Sequence, residues 1–170
     1  MVEGYKKKSH EHRSDLAGEH RWGDIGQLIF FVVFIIGMIA DVFFVHSSAF
    51  LQDLIPWYVS LILFLPLFFI AGYFVQSSHK KIFQEERKEL VVIKEGIYAR
   101  MRHPMYFGAI LMFFSFVILS FSMIALAIFV VIVLFYYVLC RYEEQVIIEK
   151  LGDAYKDYME QVPMLFPKLR

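Results

Sequence analysis

Apolar residues in this chain gather into long stretches, and the charged residues form blocks between them. The first stretch, Leu28 to Val45, carries a single charge, Asp41. The second, Leu54 to Val75, carries none and contains Pro66, which inside an apolar helix kinks it rather than ending it. From Pro104 to Cys140 there are 37 uncharged residues. As one helix they would reach about 55 Å, at about 1.5 Å per residue. The hydrocarbon core of a bilayer is only about 30 Å thick. The run must therefore fold back, and the polar break Ser120-Phe121-Ser122 near its midpoint marks the turn. The pattern predicts an all-α integral membrane protein with about four transmembrane helices. The last two form a tight hairpin, and a cytoplasmic C-terminal helical segment follows them.

The polar blocks divide the rest of the chain. Residues 1–26 read as a cytoplasmic N-terminal arm, solvated, with Lys6, Lys7 and Lys8 together. Its histidines, His10, His12 and His20, have no spacing that closes a metal site, and no metal is expected. Residues 27–75 supply two transmembrane helices. Residues 76–170 form a C-terminal region built around the transmembrane hairpin 104–140. Within it, residues 76–103 have a short apolar centre, Leu90 to Ile93, followed by Gly96, too short to span and expected to lie irregular or briefly helical against the membrane face. Residues 141–162 are charged but periodic. Ile147, Leu151, Ala154 or Tyr155, Tyr158 and Val162 fall at steps of three and four, one apolar helical face. Gly152-Asp153 can end one helix and cap the next, and Pro163 closes the element.

Charge fixes the orientation. The seventeen Lys and Arg residues are divided five, seven and five among the arm, segment 76–103 and the tail 141–170. The first connection (residues 46–53) and the hairpin tip have none. Four spans with both termini cytoplasmic satisfy the positive-inside rule without exception. Composition agrees: 59% of residues are hydrophobic and the mean hydropathy is +0.56, above what a soluble domain carries. The net charge of zero gives no reason to expect a nucleic acid partner, and one cysteine, Cys140, excludes an internal disulfide. Asp41 lies near the end of its span, where a carboxylate can reach water; inside the bundle it would instead mark a functional site.

Two clusters carry candidate chemistry. The first is Gly96-x-Tyr98-x-x-x-Arg102-His103-Pro104-Met105-Tyr106-x-Gly108, running into the third span. The second is Arg141-Tyr142-Glu143-Glu144, leaving the fourth. A hairpin brings its two feet side by side. Pro104 suits the first turn of a helix, whose free N–H groups and dipole favour an anionic group. His103 stands just before that turn. Tyr98 and Tyr106 can stack on a flat ring or face a cation. Gly108 allows a helix or a ligand to approach closely. Taken singly, these residues also fit interfacial anchoring and a solvated acidic face. Their meeting at one hairpin's feet favours a site.

The order of these motifs, closed by Leu151-Gly152-x-x-Tyr155-x-x-Tyr158-x-x-x-Val162-Pro163, resembles the isoprenylcysteine carboxyl methyltransferases. These belong with phospholipid N-methyltransferases in a group of integral membrane enzymes that use S-adenosylmethionine. The resemblance covers about residues 83–169. It implies a cofactor pocket in the C-terminal region, with S-adenosylhomocysteine as a product. Val91, Val92 and Ile93 would line the pocket with backbone groups. Tyr98, His103, Pro104 and Tyr106 would contact the cofactor, and Glu143 and Glu144 would hold its polar end. Arg141 and Glu144 would be the catalytic pair, with Arg141 facing a substrate carboxylate. The implied acceptor is the carboxylate of a prenylcysteine-like, lipophilic substrate that enters from the membrane lipid.

Methyl transfer from a sulfonium to a carboxylate cancels charge, and the acceptor is already ionised at neutral pH, so alignment is the protein's main task. An amine-bearing phospholipid is the alternative acceptor. It must lose a proton first, which His103 or a glutamate could take. Membrane sterol reductases, which use NADPH, share Arg-His-Pro-x-Tyr and a closing Val-Pro, but tend to lack the paired acids at Glu143-Glu144. A non-enzymatic membrane scaffold would bind no cofactor at all.

Overall fold

The computed structural model describes residues 21–84 and 91–167. Among them the regular structure is helical, without strands. Helix α1 (Arg21–Ala40) continues into a π-helical turn, Asp41–Val45. Next come a short α2 (Ala49–Leu54) and α3 (Trp57–His79), which passes through Pro66 and ends in a second π-turn, Lys80–Gln84. After an extended stretch and a 3₁₀ turn, Gly96–Ala99, come α4 (Pro104–Ser120), α5 (Met123–Leu151) and α6 (Asp153–Gln161). The arm's lysines and His10, His12 and His20 lie outside the described residues. The first helix begins at Arg21, within what the charge pattern assigns to that arm.

Among the described residues, three helical stretches are long and apolar enough to cross a membrane: Ile25–Val45, Trp57–Ile82 and Met123–Leu151. The seventeen residues of α4 reach about 26 Å, the short end of what spans a bilayer. Large side chains such as Phe43, Ile62, Phe69 and Val138 are exposed on the outer faces. An apolar surface of that extent is stable against lipid rather than water. At twenty-nine residues, α5 is about 43 Å long, about two turns more than a hydrocarbon core of about 30 Å requires, and Glu143 and Glu144 lie in the C-terminal part that exceeds it.

The hairpin turn falls at the Ser-Phe-Ser break. Phe121 adopts left-handed backbone (φ 47°), and the Ser122 hydroxyl accepts the Ala125 N–H to cap α5. Helix α4 packs most extensively on α3, however, and less on its hairpin partner. Gly108 explains the closeness. A Cβ there would stand 2.9 Å from Val75 Cγ2 and 3.0 Å from the Ala71 carbonyl oxygen. Small residues allow such approach where helices associate by van der Waals packing. The Gly108 of the motif thus admits a helix. On the other side, α1 lies on α5, with Gly26 under Phe135 and Gly37 under Ile128. Phe34, Phe113, Val117, Ile132 and Tyr136 form the core between α1, α4 and α5.

Asp41 does not face water. It is fully buried, and its carboxylate accepts from the Ser47 N–H (2.9 Å), the Ser47 hydroxyl (2.6 Å), the Ser48 hydroxyl (2.9 Å), the Ser122 hydroxyl and the Ile124 N–H (3.3 Å). The Met123 N–H donates to Ser48 Oγ (2.7 Å), and Gln52 Nε2 donates to the Ser120 carbonyl (3.1 Å). A negative charge therefore meets the positive N-terminal end of α5 and ties the first connection to the hairpin tip. Both segments that lack basic residues stand at this one end of the bundle.

Candidate functional site

The opposite end is built by α4, α5 and the C-terminal tail. Gly152 (φ 56°) breaks the chain between α5 and α6, a conformation an L-residue adopts only with strain. Asp153 leaves the helix start uncapped and pairs with Lys156 at 2.8 Å instead. That break lets α6 fold back, so Tyr155, Tyr158 and Val162 pack with Val92, Ile147 and Leu151 in a second core. The Tyr158 hydroxyl donates to the Tyr98 carbonyl at 2.6 Å. Beyond α6, the Pro163 carbonyl accepts the Arg102 N–H (2.9 Å) and the Met164 carbonyl accepts the His103 N–H (3.0 Å). The tail is thereby strapped along the residues that open α4.

Pro104 is buried at the first position of α4, where its missing N–H leaves no gap in the ladder. His103 precedes it without capping the helix, so its ring is available to α5. Its Nε2 lies 3.1 Å from Glu144 Oε1, and its Nδ1 lies 3.8 Å from Glu143 Oε2. The hydrogen bond to Glu144 places a proton on Nε2. One turn along α4, the Tyr106 hydroxyl donates to Glu143 Oε1. The His103 and Tyr106 rings stack, 5.8 Å apart and 13° from parallel, and Tyr136 of α5 follows 5.3 Å from Tyr106. The feet of the hairpin do meet, and a row of rings separates their carboxylates from the bundle interior.

Arg102 is the residue that sequence reasoning quoted but did not assign. Its side chain is 9% exposed, and Nε stands 2.9 Å from Glu144 Oε1. The pairing is electrostatic, because that N–H makes no aligned hydrogen bond. Glu144 is 2% exposed and has Oε1 shared between Arg102 and His103, whereas its buried Oε2 has no partner among the described residues. A carboxylate oxygen withdrawn from water without a donor is costly, and it marks where a ligand N–H or O–H would be bound. Tyr155, buried on α6, is a second unassigned neighbour. Burial first, and the charge of Glu144 next, push its phenol above the ordinary tyrosine range, so it stays a neutral donor. The signal for both was position: Arg102 directly precedes His103-Pro104, and Tyr155 lies on the apolar face of the tail.

The other named residues are placed differently. Arg141 is exposed on α5. Tyr98 is buried, and its carbonyl is taken by Tyr158. Val92 packs into the tail's core, Ile93 is half-buried, and Val91 is exposed. Residues 85–90, which include Leu90, lie outside the described residues.

A bundle of membrane-length helices with a buried polar cluster at one end defines a helical integral membrane protein with a candidate site at that end of the bundle. A family model described as phospholipid methyltransferase matches residues 59–154, more than half of the chain, from α3 to the second residue of α6. The chain belongs to the phospholipid methyltransferase family, and is by that membership a membrane methyltransferase. Among curated proteins there is no significant match.

Proposed function

We propose that this protein transfers a methyl group from S-adenosylmethionine to an acceptor carried by a lipid. The observation that carries the reading is the Oε2 of Glu144, buried and without a partner among the described residues, in a cluster where Arg102 and His103 both meet Glu144 and His103 lies 3.8 Å from Glu143. The cluster sets Glu143 and Glu144 beside Arg102 and His103, and its two carboxylates suit a cationic cofactor with an amino group. The stacked rings of His103 and Tyr106 add a face for its sulfonium or its base. When bound, the cofactor supplies an electrophilic methyl on sulfur.

The residues present would then act by binding and alignment. Glu144 Oε2 would accept from the cofactor's amino group, while Arg102 and His103 hold the carboxylate in place through Oε1. Tyr106 fixes the orientation of Glu143. With a carboxylate acceptor, the bond from carbon to oxygen forms as the carbon–sulfur bond breaks, and the sulfur keeps the electron pair. No base is consumed. The motif order supports that acceptor, in a prenylcysteine-like substrate. A second reading, an amine headgroup, is favoured by the acidic cluster and by the exposed position of Arg141. The amine must first give up a proton, for which Glu143 stands at the site.

The test is incubation of the purified protein with methyl-labelled S-adenosylmethionine and, separately, a farnesylcysteine analogue and phosphatidylethanolamine. A base-labile methyl ester, with activity flat from about pH 6.5 to 8, supports the carboxylate reading. A methylated amine, with activity rising with pH, supports the other. No binding of S-adenosylhomocysteine by calorimetry overturns both.

A further inference from the structure

The tail that clamps Arg102 and His103 carries, just beyond the clamp, an apolar side chain turned away from the protein. Leu165 is buried, whereas the next residue, Phe166, is 73% exposed. The Phe166 ring stands edge-on to Phe107 of α4, with centroids 6.3 Å apart. Phe107 in turn stands edge-on to Phe74 of α3 at 5.0 Å, and Tyr73 beside it is exposed. Phe74, Phe107 and Phe166 thus form one row across α3, α4 and the tail, opening onto the outer surface at Phe166. The outward residues of α6 before it, Lys156, Asp157 and Glu160, are charged. The chain therefore passes from a face suited to water back to one suited to lipid.

The length of α4 sets the depth of that row. Its seventeen residues reach about 26 Å, less than a hydrocarbon core of about 30 Å. The polar tip Ser120-Phe121-Ser122 holds one end at a headgroup level, so the other begins at or just inside the opposite boundary. Phe107 is one turn into the helix, and a ring packed edge-on to it shares its level. An exposed phenylalanine there meets acyl chains and headgroups rather than bulk water. The surface is continuous with the lipid-facing sides of α3 and α4, which makes the bilayer itself the occupant. We propose that Phe166 anchors the C-terminal tail in the bilayer at the site end, and that this anchor keeps the tail's clamp on Arg102 and His103 closed. The clamp is the pair of hydrogen bonds to the Pro163 and Met164 carbonyls, two and three residues before Phe166. Releasing the ring frees the two N–H groups that hold Arg102 and His103 toward Glu144, so the site is complete only when the tail is seated in lipid. The anchor stands on packing alone; its meaning for cofactor binding rests on the methyl-transfer reading above.

The test uses the full-length protein in nanodiscs and one fluorescent reporter, Phe166→Trp in a Trp22→Phe, Trp57→Phe background. A ring seated about 5–10 Å into the headgroup–acyl boundary should be quenched more by lipids brominated near the top of the acyl chain than near its end. Aqueous iodide should quench it little. In the otherwise unaltered chain, Phe166→Ser should speed amide hydrogen exchange at Arg102 and His103 by about tenfold or more. Phe166→Leu, which keeps the side chain apolar, should stay within about threefold. Exchange of the Ile124 N–H, held by Asp41 at the far end, should change in neither. Quenching by iodide instead of bromine puts the ring in water and overturns the anchor. A tryptophan shielded from both lies against another protein and overturns it equally. Bromine quenching with unchanged exchange in Phe166→Ser overturns the anchor's hold on the clamp. S-adenosylhomocysteine affinity should fall in Phe166→Ser and not in Phe166→Leu. A protein that shows the quenching and the exchange but binds no S-adenosylhomocysteine upholds the anchor and sinks the methyl-transfer reading instead.

Discussion

Glu144 and Arg102 show how much one atom's partners can decide. Glu144 is buried, its charge is offset through Oε1, and Oε2 is left with nothing to accept. Glu144→Gln keeps the shape and removes the charge that Arg102 and the ligand both need. S-adenosylhomocysteine binding should weaken by about tenfold or more, equivalent to about 1.4 kcal/mol. Calorimetry checks this, and equal affinity in a folded variant removes Glu144 from the site. Arg102→Gln should act through stability as well, because it strands a carboxylate in a dry setting; losing one partner of a buried ion pair costs about 3–5 kcal/mol. The expected outcome is a clear drop in thermal unfolding temperature in detergent, partly recovered in Arg102→Lys. Arg141→Ala, at an exposed position, should change stability by no more than about 0.5 kcal/mol.

At the scale of elements, the two ends of the bundle are held by different chemistry. The site end depends on the tail, whose backbone carbonyls at Pro163 and Met164 clamp Arg102 and His103. The far end depends on Asp41, which gathers donors from two loops and the start of α5. Asp41→Ala leaves buried hydroxyls and N–H groups without an acceptor. Each such group costs about 1–3 kcal/mol, less where a hydroxyl can turn elsewhere. The variant should lose about 3 kcal/mol or more by unfolding measurements, while any protein that remains folded binds S-adenosylhomocysteine as before. A loss of binding in step with the loss of stability would show the two ends to be coupled.

For the whole molecule, the arrangement of ends makes a topology prediction. The connection 46–53 and the hairpin tip are joined at one end, and the tail is joined to the residues before α4 at the other. In a Cys140→Ser background, cysteines at the exposed positions Asp53 and Met123 should react with an impermeant thiol reagent from outside intact cells. Cysteines at Lys94 and Asp153, also exposed, should react only after the membrane is opened. Labelling of Asp53 and Lys94 from the same side would overturn the four-pass arrangement.

Local pattern carried the architecture, because lipid imposes one rule along the whole chain. Uncharged runs of a given length must be helices that cross, and 37 uncharged residues must turn back once. The turn at Ser120-Phe121-Ser122, the break at Gly152 and the pairing of the hairpin's two feet were therefore legible from composition and spacing. So were His103, Tyr106, Glu143 and Glu144 as one candidate cluster. What the sequence could not rank was which polar residue beside that cluster turns inward. Arg102 and Arg141 look alike in one dimension, and only the backbone clamp from Pro163 turns the first toward Glu144 while the second stays exposed. Asp41 is the same case: a charge near a span's end reads as water-facing until Ser47 and Ser48 of the next connection and Ser122 of the hairpin tip are seen around it. Length and hydropathy act locally and determined that the chain is built of long apolar helices and where the last two of them turn back. Burial and hydrogen bonding are properties of neighbours brought together by packing, so the partners of each charge were decided only by the tertiary structure.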